Sequence, residues 1–183
     1  MPDRGDLVLW ELRTGIEARK ARSPTQDKEP GVTYTRVQKA VYLSQIALPQ
    51  SSLPNSLSYS FNSFLCGPYD DALQDDIEGL NNARLLEQQY KKWPGTNVPT
   101  YDIIVTEFGE AHTTLISEPK LRSALSCGSL HSLKDSVGKY FTIPENDLIR
   151  ASLDKLEKDP ERDPKIKARA REMLDVQDMP PSL

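Results

Sequence analysis

The stretch from Thr33 to Leu86 joins an amphipathic helix pattern to a Gly67-Pro68-Tyr69 stop and then to a second helix pattern rich in acid, and few architectures accommodate that succession. Val37, Val41, Ile46 and Leu48, with Tyr34, Tyr42 and Leu43, give the first pattern a broad apolar face. Thr35 and Gln38 have the spacing of a capping box, with Thr33 as a rival cap two residues earlier. In the second, Pro68 suits a helix start, and Ala72, Leu73, Ile77 and Leu80 fall on one helical side.

Around this pair the chain divides by its breakers. Leu7, Val8, Leu9, Leu12 and Ile16 predict a helix over 6–21 with an apolar stripe on one side. Ser23–Gly31 holds two prolines among polar residues and reads as a linker. Leu57–Phe64 alternates apolar and polar side chains, as a half-buried strand does. Past Leu80, two β-capable runs flank a Pro/Gly/Asn loop over 91–99, which predicts a hairpin. Two short helices separated at Gly128, then helices over 144–158 and 164–176, complete the chain. A helix pair followed by a hairpin is the order of a winged helix. The expected fold is therefore mainly α with a small β-hairpin, a winged-helix-like central module followed by C-terminal helices. The expected division is an N-terminal helix and linker over 1–32, a core over 33–140 and a helical tail over 141–183.

Gln38-Lys39 with Tyr42-Leu43, then Phe61-Asn62-Ser63-Phe64-Leu65-Cys66-Gly67-Pro68-Tyr69, the spaced Leu73, Ile77 and Leu80, and Leu85-Leu86-Glu87 together resemble the Panacea and YwgA-like proteins. The resemblance covers about a third of the chain. It implies a helical fold related to winged-helix modules and a prokaryotic or phage-associated protein, with some members acting as antitoxins that neutralise a partner protein. Gln38, Lys39, Tyr42, Gly67, Pro68 and Tyr69 carry it and have structural work to do. Ala40 and Cys66 depart from it, standing where a larger aliphatic and an aromatic residue are expected.

Charge then separates two kinds of partner. A helix reading DNA needs Lys or Arg beside the phosphates. The helix after Tyr69 instead carries Asp70, Asp71, Asp75, Asp76 and Glu78, with no base before Arg84. Asp70 and Asp71 suit a helix N-terminus, where the dipole is positive. Asp75, Asp76 and Glu78 lie beyond it and are the expected contact for a basic protein partner, a toxin in the antitoxin reading. The alternative is a transcription regulator touching DNA through Lys91, Lys92 and Trp93 at the wing. The net charge of −4 disfavours a general nucleic-acid coat. Tyr42, Phe61, Phe64 and Tyr69 are expected in the core, and a homodimer is compatible with the sequence.

Chemistry-bearing residues do not assemble into a catalytic pattern. His112, Cys127, His131 and Cys66 are scattered, and Gly128 interrupts the one-turn spacing of Cys127 and His131. Asp70 with Glu118-x-Lys120 imitates nuclease acids and lysine only loosely, and phosphate-binding or dinucleotide fingerprints are missing from the sequence. The expectation is a non-catalytic binding protein without cofactor or metal. Two cysteines in 183 residues do not form a disulfide framework, and no run approaches the roughly 18 apolar residues of a membrane span, so a cytoplasmic location is expected.

Overall fold

A computed structural model describes residues 1–22, 31–49, 52–64, 67–92, 99–160 and 162–178. It is mainly helical with a small antiparallel sheet. The chain runs α1 (Arg4–Arg22), β1 (Val32–Thr33), α2 (Tyr34–Ile46), a 3₁₀ turn (Asn55–Leu57), β2 (Asn62–Phe64), β3 (Gly67–Tyr69) and α3 (Asp71–Asn82). The strands β4 (Leu86–Lys92) and β5 (Pro99–Val105) follow, then α4 (Glu107–His112), a π-helical segment (Thr113–Ser117) and α5 (Glu118–Ala124). Helices α6 (Cys127–Thr142), α7 (Glu145–Lys158) and α8 (Pro164–Asp178) complete it.

The first helix is not amphipathic as expected. Leu7, Val8, Leu9, Trp10, Glu11 and Leu12 are consecutive and all buried, so this part of α1 is enclosed on every side. A stripe of five apolar residues marks one face, but α3, α6 and the π segment pack around the others. The fit against α6 depends on Gly15, where a Cβ would come within 2.2 Å of the Phe141 ring.

The expected hairpin is β4–β5, in register from Leu86 opposite Val105 to Lys92 opposite Pro99. A third strand joins it, β1, through Val32 opposite Ile103 and Thr33 opposite Asp102, giving the order β1-β5-β4. Two residues leave no period to read in a sequence; only the partner strand defines them. Of the predicted linker, 23–30 lie outside the described residues.

Local chemistry sets the helix ends. Thr33 wins the capping of α2, its Oγ1 accepting the Arg36 N–H, so the Thr35–Gln38 box does not form. The second end corrects the expected role of Pro68. Gly67, Pro68 and Tyr69 form a strand against β2, and α3 starts at Asp71 with Asp70 as its cap. The predicted strand is also shorter than its alternation, since only Asn62–Phe64 finds a partner. Gly128 does not divide the later helices, because the break falls at Leu125-Ser126 and Ser126 Oγ caps an unbroken α6. The buried Arg36 donates to the carbonyls of Phe141 and Ile143 at 3.1 and 2.7 Å, joining α2 to the end of α6.

The segment 107–124 is a continuous helix whose middle turn is widened. Pro119 has no N–H to return to the preceding turn, and the π segment lies immediately before it, with the Glu118 N–H reaching back to the Thr113 carbonyl. The turn angle falls, so Gly109, Thr113, Ser117 and Leu121 recur every fourth residue and all face inward.

Candidate partner-binding site

The residues that carry the family resemblance meet in space. Gln38 uses both ends of its amide on one backbone position, accepting the Asp70 N–H at 3.1 Å and donating to the Asp70 carbonyl at 3.2 Å. Lys39, also buried, donates its Nζ to the Pro68 carbonyl at 2.7 Å. Gly67 has φ of 102°, a conformation that favours glycine, and a Cβ there would also press on Lys39 Cε and Ser152 Oγ at 3.2 Å. Tyr42 stands edge-on to Phe61, ring centroids 5.2 Å apart, and both are buried as expected. Tyr69 is only half-buried, its hydroxyl donating to Gln74 Oε1. Phe64 lies in β2, and its side chain is outside the described set.

This clamp fixes the start of α3. Asp70 Oδ1 accepts the N–H groups of Ala72 and Leu73 at 2.8 and 3.3 Å, satisfying two of the helix's open donors. Leu73 and Ile77 then point into the core, and the opposite face shows Asp71, Asp75 and Glu78 to solvent. Asp76 sits apart from that exposed set. Its carboxylate pairs with Arg4 at 3.2 Å and accepts the Tyr59 hydroxyl at 2.7 Å, holding α3 to α1. Burial, reinforced by that carboxylate, pushes the Tyr59 phenol well above its ordinary value.

Asp75 and Asp76 form one wall of a cleft of about 520 Å³ that Asp3, Arg4, Asp6, Ser56, His112 and Lys120 also line. Its floor is Asp6, buried and gripped from the helix 107–124. Ser117 Oγ and Lys120 Nζ each donate to it at 2.8 Å, and His112 Nε2 stands 3.6 Å away. The widened turn puts positions 112, 117 and 120 on the same side. Burial by itself would raise the Asp6 carboxyl, but the hydrogen bonds from Lys120 and Ser117, the backbone around Asp3 and the Lys120 charge together hold it below its ordinary value. A carboxylate paired in this way ties α1 to the helix 107–124. Sequence reading missed this group because its members lie 111 and 114 positions apart in the two hydrogen bonds.

The other predicted residues are dispersed. His112 opens on the Asp6 cleft, whereas Cys127 and His131, one turn apart on α6, line a separate cleft of about 350 Å³ beside Trp10. Among the described residues no group of three His, Cys, Asp or Glu side chains could hold a metal ion; Cys66 is outside them. Asp70 caps a helix while Lys120 serves Asp6, so the nuclease-like trio has no shared site. Of the residues expected at a wing, Lys91 and Lys92 belong to β4, their side chains outside the described set, and Trp93 lies outside the described residues altogether. No described helix is long and apolar enough to cross a membrane.

Neither a protein-family model nor a curated protein matches this sequence.

Proposed function

We propose that this chain is a non-catalytic protein-binding module of the kind its resemblance to Panacea-type antitoxins implies, acting in the cytoplasm by neutralising or tethering a basic protein partner. The supporting observation is the exposed face of α3. The succession α1, β1, α2, the β2–β3 pair, α3 and the β4–β5 hairpin, with β1 beside β5, supports reading the module as winged-helix-like, with α3 in the role of the reading helix. That helix shows Asp71, Asp75 and Glu78 to solvent, a sign that repels phosphate and attracts Lys and Arg. Asp75 and Glu78 are the contact residues; Asp76 serves by fixing the helix through Arg4 and Tyr59.

The test is co-purification from the native host with Asp75→Lys and Glu78→Lys combined. Loss of a partner that the parent chain retains, at an unchanged melting temperature, is the expected result. Undiminished recovery of that partner sinks the assignment of the face. The winged order by itself favours the second reading, a DNA-binding regulator using Lys91, Lys92 and Trp93. A salt-dependent DNA shift lost on changing Lys91 and Lys92 to Glu replaces the first reading with that one.

A further inference from the structure

Independently of that reading, we propose that the cleft between the end of α2, the chain that follows it and the end of α7 binds a small carboxylate with an apolar body, of the arylalkanoate type. The cleft measures about 500 Å³, within the range of small-molecule sites. Its apolar wall is formed by Ile46, Leu48 and Leu53. Ile46 is 42% exposed there, at the end of a helix that is otherwise largely buried.

The polar groups left over after internal pairing select the occupant. Tyr42 is 1% exposed, and its hydroxyl has no partner among the described residues, yet it is not sealed from solvent; this cleft is where it reaches the surface. Burial pushes the phenol up to about 12, so the hydroxyl keeps its proton at neutral pH and donates. Gln45, one turn further along α2, spends its Oε1 on the Tyr59 N–H at 3.1 Å. That bond fixes the amide and leaves Nε2 an enclosed donor without an acceptor. An acceptor supplied from the cleft relieves a donor left in that state. Of the charged groups lining the cleft, Lys158 pairs with Asp154 and Asp159 with Arg162, whereas the exposed Lys155 has no ion pair among the described residues.

Phenol, amide and ammonium are all donors, and no unpaired carboxylate stands among them. Their complement is an anionic acceptor. A bare inorganic anion would leave the apolar wall wet, and an apolar amine would find no free acceptor. A carboxylate on a hydrocarbon body meets both requirements. One oxygen accepts from the Tyr42 hydroxyl and the other lies toward the Gln45 amide, with Lys155 supplying the opposite charge and the hydrocarbon lying against Ile46, Leu48 and Leu53.

The experiment titrates the ¹⁵N-labelled full chain with 3-phenylpropanoate to ~10 mM, above the millimolar Kd expected for a ligand of about eleven heavy atoms. Saturable shifts should include the Gln45 side-chain amide, and 3-phenylpropylamine over the same range should leave that resonance in place. Tyr42→Phe keeps the ring against Phe61 and removes only the hydroxyl, so it should bind roughly tenfold more weakly or worse. Gln45→Glu keeps an oxygen for the Tyr59 N–H but puts a negative charge in place of the donor, and should abolish binding. No saturable shift of the Gln45 amide in the parent, an amine that binds as well as the acid, or a folded Tyr42→Phe protein with the parent's affinity each overturns the proposal.

Discussion

Glu11 is the most consequential side chain in the core. It is 0% exposed in the enclosed part of α1, and neither carboxyl oxygen has a hydrogen-bond partner. Burial raises it well above its ordinary value of 4.5, so the native carboxyl is neutral where the unfolded one is charged. Linkage fixes the sign. Above pH 4.5 the unfolded chain releases a proton that the native chain keeps, so native stability falls as pH rises, by about 1.4 kcal/mol per pH unit, until the native carboxyl itself ionises. A neutral polar group buried without a partner costs a further ~1–3 kcal/mol. Glu11→Gln removes the titration but keeps a buried amide, and Glu11→Met replaces the side chain with an unbranched apolar one. Urea unfolding of all three proteins at pH 5, 6, 7 and 8, followed by tryptophan fluorescence, separates the two effects. The gap between Glu11→Gln and the parent should widen as pH rises from 5 until the native carboxyl itself ionises, and Glu11→Met should exceed Glu11→Gln by about 1–3 kcal/mol. A gap that stays constant across the series, or a Glu11→Met protein less stable than the parent at pH 7, refutes the reasoning.

Two further outcomes follow from the clamp and the cleft. Gln38→Leu strands the buried N–H of Asp70, whose carbonyl keeps the Gln74 N–H, and should cost ~1–3 kcal/mol in denaturant midpoint measurements. Glu there should retain the contact to the N–H alone and fall between. Asp6 behaves oppositely to Glu11: its carboxyl is held low, so its contribution is complete above the unfolded value and is lost as pH falls through the lower native one. Asp6→Asn should therefore weaken the protein at pH 7 and make little difference in strong acid, as acid melts of the two proteins would show; equal losses at both extremes would contradict the ion-pair role.

What the chain discloses about itself depends on the range of the interactions. Helices α2, α3, α7 and α8 and the β4–β5 hairpin were readable because their apolar period or their breakers lie within a few residues. β1 and the strand pairing of Gly67–Tyr69 were hidden, since a partner elsewhere in the chain makes them strands. The same holds for the site. Asp75 and Glu78 could be named from helical spacing, but the diversion of Asp76 to Arg4 and Tyr59 could not, because those residues come from α1 and from the segment before β2. Thr113 and Ser117 signalled nothing by type. Pro119 inside a helical run was the visible trace of the widened turn.

The enclosure of α1 has a consequence for how the chain acquires its structure. It is covered by α3, the π segment and α6, the last more than a hundred positions later, so during synthesis Leu7 to Leu12 emerge long before the segments that cover them. Until those segments close on it, the last of them by bringing Phe141 onto Gly15, α1 keeps exposed hydrophobic surface of the sort chaperones hold and aggregates recruit. Of all the helices described, the one that leaves the ribosome first is among the last to be secured.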